Sequence, residues 1–149
     1  MSDLEKSLRT YIDFFEQLKP GDLPYFDRIF SANVHFKDPF NDVYGPAALK
    51  QIFTHMFERC EDPRFEVTDA CQAEDRAYLR WDFHFNLRGR SEKYRLQGVS
   101  RVCFDANGRV YEHIDYWDPT EQIYGRLPVL RWVLAIVRSR LSAPQVAAD

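Results

Sequence analysis

The chain has 149 residues, of which 45% are hydrophobic and 15% aromatic, and its formal net charge is −3. This length favours a single domain with a sizeable core, and the charge gives no electrostatic basis for binding nucleic acid. The three cysteines lack the spacing of a zinc site and suit a reducing compartment. Because there is neither an apolar signal segment at the start nor an apolar run of the roughly 20 residues that span a membrane, we expect a soluble, cytoplasmic protein.

Three helices are predicted in the amino-terminal part of the chain. Apolar residues recur at helical spacing over residues 3–18, and Pro20 and Gly21 end this helix and begin a short second one. Gly45 then turns the chain into a third helix, whose buried stripe includes Phe53 and Phe57.

A short strand that ends in an acid is predicted between the second and third helices. Residues two apart in a strand share a face, so Val34, Phe36 and Asp38 should all point inward. An inward carboxylate is costly unless it is paired, hydrogen-bonded or functional. Asp38 is therefore either a functional acid in a pocket or the cap of the turn that Pro39 initiates.

From residue 62 onward the pattern changes to the period of strands. In the clearest segment, 76–88, Trp81, Phe83 and Phe85 alternate with polar residues and are expected to line either a core or a pocket. Further strands are predicted at 93–104 and 109–118, joined by a hairpin turn at 105–108. This order predicts an α+β fold, in which a curved antiparallel sheet wraps around three helices and encloses a pocket.

The last predicted strand carries a histidine and an acid in phase. His113, Asp115 and Trp117 share one face, and hydrophobicity does not decide whether that face is the inner one. If it is, His113 and Asp115 share the cavity with Asp38, and such a set can divide into acid and base roles. The alternative is an exposed pair or a dimer contact. As a metal site the pair lacks a third ligand, so we expect no metal.

Residues 121–149 form an apolar and basic segment that follows a domain of residues 1–120. The segment predicts a strongly apolar helix with a narrow stripe formed by Arg131, Arg138 and Arg140. We expect this helix to pack on its own domain or on a second subunit, in preference to a membrane surface.

Several short motifs, taken in their order, resemble the SnoaL-like, ketosteroid-isomerase-like group of the nuclear-transport-factor-2-like superfamily. The resemblance covers residues 5–120, and the motifs that carry it are Pro20–Leu23, Phe36–Pro39, Gly45–Leu49, Asp105–Val110 and His113–Asp118. It implies a conical α+β fold that is usually dimeric, with a deep apolar pocket between sheet and helices. It also implies that Asp38 is a general base and that His113, Asp115 and Trp117 face the pocket, as do Trp81, Phe83 and Phe85.

The resemblance is incomplete at the positions that assist the isomerase base. Phe14, Ser100 and Phe53 stand where a steroid isomerase has a tyrosine, a second acid and a supporting tyrosine. A phenyl ring cannot donate a hydrogen bond to an enolate, so the resemblance does not extend to steroid isomerisation by that route. Tyr11, one helical turn from Phe14, is a possible substitute donor.

The sequence thus predicts a protein that binds a small apolar, oxygenated molecule and forms a homodimer. If it is an enzyme, we expect an isomerase, cyclase or dehydratase that needs no cofactor, with Asp38 as base and His113 and Asp115 as acid and polarising partner. The alternative is a non-catalytic module that binds a ligand, or that docks to another protein through its carboxy-terminal helix.

Overall fold

The structure, a computed structural model, describes residues 2–142 and divides into two compact units, 1–117 and 118 onward. Residues 143–149, the end of the predicted carboxy-terminal segment, lie outside the described residues. The first unit contains α1 (Asp3–Glu16), a 3-10 helix (Pro20–Tyr25), α2 (Phe26–Ile29), β1 (Phe30–Lys37), β2 (Asp42–Tyr44), α3 (Pro46–Arg59), β3 (Cys60–Ala73), β4 (Arg76–Leu87), β5 (Lys93–Phe104) and β6 (Val110–Tyr116). The second unit contains α4 (Pro119–Gln122), a 3-10 helix (Tyr124–Arg126) and α5 (Pro128–Leu141).

The two long helices of the first unit begin at strong start signals. At α1, the Ser2 side chain accepts from the Glu5 amide while the Glu5 carboxylate accepts from the Ser2 amide, which forms a capping box. At α3, Pro46 occupies the first turn, where its missing N–H costs nothing. Gly45 precedes it at φ +88°, a backbone conformation that glycine tolerates without strain.

The strands form one six-stranded, mixed sheet in the order β2-β1-β6-β5-β4-β3. Neighbours run antiparallel except β1 and β6, which pair in parallel with Phe36 opposite His113. The α+β class and the curved sheet are confirmed, and the parallel pair is the one departure from the expected antiparallel sheet. A long connection that includes α3 separates β1 from β6, as parallel strands require.

The inward face of β1 follows the predicted alternation. Val34 and Phe36 are buried while Lys37 is exposed, and pairing with β2 ends just before Pro39. Phe26, Phe30 and Phe53 form an aromatic core beneath this face, with ring centroids 5.2 Å apart for both Phe26–Phe30 and Phe26–Phe53.

No helix among the described residues combines the length and apolar character that crossing a membrane requires.

Candidate functional site

The inner face of β6 is the face that carries the histidine and the acid. His113 is 8% exposed, and its ring centroid lies 5.2 Å from that of Phe36 on the neighbouring strand. Tyr116, on the opposite face, is 56% exposed. The tertiary structure therefore resolves the ambiguity in favour of an inward His113 and Asp115.

Five side chains on four elements form a continuous hydrogen-bonded chain, which we call the relay. Trp81 Nε1 donates to Ser100 Oγ over 2.8 Å, and the Ser100 hydroxyl donates to Asp115 Oδ1. His113 Nε2 lies 2.7 Å from the same Asp115 oxygen, and His113 Nδ1 lies 2.5 Å from the Tyr11 hydroxyl. The relay thus ties β4, β5, β6 and α1 together through polar groups that are almost entirely shielded from solvent.

The donors and acceptors of the relay follow from the chemistry of its members. An ionised Asp115 only accepts, so we assign the neutral imidazole proton to His113 Nε2 and leave Nδ1 as an acceptor. Tyr11 then donates to Nδ1. Burial, reinforced by the nearby Asp115 carboxylate, raises the pKa of Tyr11 well above its usual value. Tyr11 therefore remains a protonated donor throughout the physiological pH range.

One oxygen of the relay is left open. Asp115 Oδ1 is bonded to both Ser100 and His113, whereas Oδ2 accepts no hydrogen bond from the part of the chain that the structure describes. The Asp115 side chain is 16% exposed. A carboxylate held rigidly by one oxygen and accessible through the other can take a proton from a bound molecule or accept a hydrogen bond from it.

Asp38 lies one residue beyond β1 and organises the turn that follows. Its Oδ1 accepts from the backbone amides of Phe40 and Asn41 at 2.7 Å each, and the Asn41 side-chain amide donates to both carboxylate oxygens at 3.1 Å. These are the contacts of an Asx turn, the alternative role that the Asp-Pro sequence allowed. The role of Asp38 as a general base remains a prediction.

The aromatic residues singled out in the sequence lie in three places: on β4, directly after β6, and on helices α1 and α3. On β4, the rings of Phe83 and Phe85 stack at 5.0 Å, and Phe83 also stacks on Phe65 of β3 at 4.4 Å. Trp117 contacts Phe40, the residue after the Asp-Pro pair, with centroids 5.5 Å apart. On α1, Phe14 packs against Phe26. On α3, Phe53 packs against Phe15, and Phe57 is half-buried.

Two aromatic neighbours of the site, Phe15 and Phe65, were not among the predicted pocket residues. Phe15 is one turn from Tyr11 on α1, and its ring centroid lies 6.3 Å from that of His113. Phe65 packs edge-on against Phe15 at 6.1 Å. The four-residue spacing that puts Phe15 one helical turn from Tyr11 could have identified Phe15 from the sequence. Phe65 lies on β3, and nothing in its local sequence indicates that its ring meets Phe15 on α1.

A surface cavity of about 380 Å³ lies beside α1 and the β5–β6 turn. Tyr11 is the only residue that it shares with the predicted pocket. Its other walls are formed by Asp3, Lys6, Ser7, Thr10, Arg28, Ile29, Phe104, Ala106, Asn107 and Gly108. This polar cavity therefore differs from the enclosed apolar pocket that the sequence predicts, which remains a prediction.

Three potential metal ligands, Glu66, Asp82 and His84, lie on the outer face of β3 and β4, with ligand atoms within 4.8 Å of one another. Asp82 is already engaged, because Arg95 donates to Oδ2 through two nitrogens at 3.0 and 2.6 Å, and Arg80 contacts Oδ1 at 3.3 Å. These contacts, led by Arg95, hold the pKa of Asp82 below its usual value. Two guanidinium groups at one carboxylate oppose a cation there, so we assign the cluster a structural role.

The curved sheet packed by helices, with polar groups converging on its inner face, defines a nuclear-transport-factor-2-like protein. A SnoaL-like domain model matches residues 11–113, and the chain belongs to this family. No curated protein matches the chain.

Solved structures confirm the fold. A SnoaL-like polyketide cyclase candidate from Shewanella putrefaciens has a TM-score of 0.70 at 16% identity, covering 87% of this chain and 98% of the other. An NTF2-like protein of unknown function from Burkholderia pseudomallei has a TM-score of 0.70 at 16% identity, covering 83% and 96%. An LEH-like epoxide hydrolase from M. tuberculosis has a TM-score of 0.65 at 12% identity, covering 91% and 96%. At these identities the likeness concerns the fold alone, and activity has to be argued from the site.

Proposed function

We propose that this SnoaL-like protein catalyses proton transfer on a small apolar, oxygenated molecule without a cofactor, with the Asp115 carboxylate as the proton acceptor. The observation that carries the proposal is the open Asp115 Oδ2 beside an Oδ1 fixed by Ser100 and His113. This assignment moves the base from Asp38, whose carboxylate already accepts four hydrogen bonds in its turn, to the last strand.

The relay supplies what such a base needs. His113 donates to the carboxylate through Nε2, and Tyr11 holds the imidazole in that tautomer by donating to Nδ1. Once Asp115 Oδ2 has taken a proton from carbon or from water, the same carboxyl can return it to a developing oxyanion or leaving oxygen. Because Ser100 and His113 hold Asp115 Oδ1 in place, the carboxylate needs little reorientation during the proton transfer.

Two of the similar structures suggest which reactions to try. One is named as a polyketide cyclase candidate and one as an epoxide hydrolase. Intramolecular aldol cyclisation begins with removal of a proton from carbon, and epoxide hydration with removal of one from water. A positioned carboxylate can serve as the general base in both, and neither requires a cofactor.

The test measures turnover of three probes: 5-nitrobenzisoxazole, which a carboxylate base opens to a coloured phenolate, cyclohexene oxide, and a linear β-diketone capable of aldol closure. We expect the wild type to act on at least one probe and Asp115→Asn to lose about 100-fold or more of that rate. Ser100→Ala should lose less, because the carboxylate stays. Asp13→Asn, at an exposed position on α1, is the matched control and should retain full activity.

The outcomes separate catalysis from simple binding. Failure of the wild type to turn over any probe, or undiminished turnover in Asp115→Asn, would overturn the proposal. Probe binding without turnover, detected by quenching of tryptophan fluorescence, would instead favour the non-catalytic ligand-binding module. Near-ultraviolet circular dichroism shows whether each variant keeps the wild-type packing.

A further inference from the structure

Positive charge is concentrated in helix α5 of the second unit. Helix α5 (Pro128–Leu141) contains three arginines and no aspartate, glutamate or lysine, whereas the whole second unit sets four arginines against Asp118, Glu121 and Asp149. Because the whole chain carries a formal −3 and α5 carries +3, the remaining residues carry −6. A cationic segment attached to an acidic protein has a strong electrostatic preference for an anionic partner.

Helix α5 carries a wide apolar sector with arginines at its edge and one arginine within it. At 3.6 residues per turn, Arg131 and Arg138 lie two turns apart beside Leu134, on the polar side that also carries Ala135 and Ser139. The apolar sector is formed by Leu130, Val133, Leu134, Val137 and Leu141, with Ile136 and Trp132 toward its other border, and Arg140 falls inside it in the last turn of the helix. An apolar sector this wide, with arginines at one edge and a tryptophan at the other, is typical of helices that lie in a membrane interface.

The apolar sector is exposed. None of the described side chains of α5 is buried, and Trp132 and Leu141 are 69% and 81% exposed. Val133 and Val137, near the middle of the sector, are 44% and 48% exposed. Contiguous exposed apolar surface of this kind marks an interaction site.

We propose that α5 lies on the surface of an anionic phospholipid bilayer, with Val133, Val137 and their neighbours at the acyl boundary. Arg131 and Arg138, at the edge of the sector, then reach the lipid phosphates by extending their side chains, and Trp132 occupies the interfacial layer that suits its amphipathic ring. The 14 residues of α5 span only about 21 Å at 1.5 Å per residue, too short for a hydrocarbon core of about 30 Å. The helix therefore lies along the surface.

Charge complementarity selects lipid over a second copy of the chain. Pairing two α5 helices through this sector would bury Arg140 of each copy at the contact, with no acid on the helix to neutralise it, whereas at a bilayer surface its long side chain can extend to the phosphates. An anionic leaflet contributes about 1 kcal/mol per arginine, or about five-fold in affinity. This inference concerns where the protein resides and is independent of its proposed reaction.

The experiment is co-sedimentation of the full chain with vesicles of phosphatidylcholine alone and of three parts phosphatidylcholine to one part phosphatidylglycerol. We expect binding to the anionic vesicles only. Val133→Asn with Val137→Asn should weaken it by at least about tenfold through lost apolar burial, whereas Ser139→Asn, the same amide on the opposite side, should change it by less than about twofold. Arg131→Gln with Arg138→Gln should weaken it by roughly 20-fold.

Other occupants of the helix would be recognised by different outcomes. Absence of vesicle binding by the wild type, or equal loss in Ser139→Asn and the double valine variant, would overturn the proposal. So would a drop from dimer to monomer in the double valine variant, measured by sedimentation velocity without lipid, because the apolar sector would then be a subunit contact. Unchanged near-ultraviolet circular dichroism confirms that each variant is folded.

Discussion

Tyr11 shows how a single residue acquires a role that its sequence position only suggested. Phe14, which the resemblance aligns with the isomerase tyrosine, packs against Phe15 and Phe26. Tyr11 reaches His113 instead, with its hydroxyl 2.5 Å from Nδ1. Tyr11, one helical turn from Phe14, therefore provides a hydroxyl donor to the imidazole.

The pH dependence of stability provides a test of Tyr11. Its pKa is raised in the folded protein by burial and by Asp115, while in the unfolded chain it is about 10. Above about pH 10 the unfolded chain loses this proton and the folded one keeps it, so the free energy of unfolding falls by up to about 1.4 kcal/mol per pH unit. Below about pH 10 both the folded and the unfolded chain keep the Tyr11 proton, so the stabilisation that Tyr11 provides is fully present and does not change with pH.

Urea unfolding of the wild type and Tyr11→Phe between pH 7 and 11 measures this difference. We expect the variant to be less stable by roughly 1–3 kcal/mol at pH 7, because His113 Nδ1 loses its buried partner, and to show a shallower decline above pH 10. The pKa of Tyr111 is also raised, to about 12, by its hydrogen bond to Asp75. Because Tyr111 is present in both the wild type and Tyr11→Phe, its effect on the pH dependence of stability cancels in the comparison. Tyr44→Phe, at an exposed tyrosine outside the proposed subunit interface, should match the wild type. Parallel curves for the wild type and Tyr11→Phe would contradict the assignment.

Substitution can separate the two roles considered for Asp38, which are capping the turn and acting as a general base. An asparagine keeps the oxygen that accepts from the amides of Phe40 and Asn41 but cannot act as a base, whereas an alanine loses both functions. If the residue caps the turn, Asp38→Ala should destabilise the protein by about 1–2 kcal/mol and Asp38→Asn should restore most of that loss and most of the probe turnover. Equal inactivity of two stably folded variants would show that Asp38 is the base.

Among the strands, the contact between β4 and β5 depends on a glycine. A Cβ at Gly98 would lie 2.5 and 2.7 Å from atoms of the Trp81 ring and 3.0 Å from Trp117 Cβ. Gly98 therefore leaves the space in which the Trp81 indole reaches Ser100. The hydrogen bond between Trp81 and Ser100 in the relay therefore depends on the close packing of Gly98 against the Trp81 ring.

Replacing Gly98 by alanine should move the Trp81 ring and break its hydrogen bond to Ser100. We expect a loss of roughly 1–3 kcal/mol in the free energy of unfolding and an altered tryptophan fluorescence spectrum. Gly21→Ala is the matched control, since a Cβ there meets nothing within 4 Å, and it should change stability by less than about 0.5 kcal/mol. Equal stability of the two variants would show that the ring adjusts freely.

At the scale of the whole molecule, the outer face of the sheet is a further exposed surface. Val99 of β5 pairs with Tyr116 of β6, and both are exposed, as is Tyr78 of β4. Their side chains lie opposite the inner face that carries the relay. Exposed tyrosines with an aliphatic centre are the composition expected of a subunit interface, and we propose that the expected homodimer forms here.

Sedimentation velocity tests that arrangement. The wild type should sediment at about twice the 17.7 kDa of one chain, and Val99→Glu should shift it to the monomer by placing two buried acids at the interface. Thr54→Glu, on the exposed side of α3, adds the same charge elsewhere and should leave the dimer intact. A monomeric wild type, or a dimer unaffected by Val99→Glu, would exclude this interface.

The sequence by itself determined the α+β class and most element positions, because strand alternation, helical periodicity and Pro-Gly signals are local properties. It missed β2, whose three residues are too few for an alternating pattern. It also determined that His113 and Asp115 share one face of a strand, since their spacing requires it.

Only the tertiary structure decided which face of β6 points inward and which residues meet there. Tyr11 and His113 are 102 residues apart, and Trp81 and Ser100 lie on different strands. Whether two such side chains meet depends on the register of pairing and on how α1 packs against the sheet, and local periodicity encodes neither. The sequence therefore supplied the acid and the imidazole, while the relay that leaves Asp115 Oδ2 open arises from the packing of distant segments.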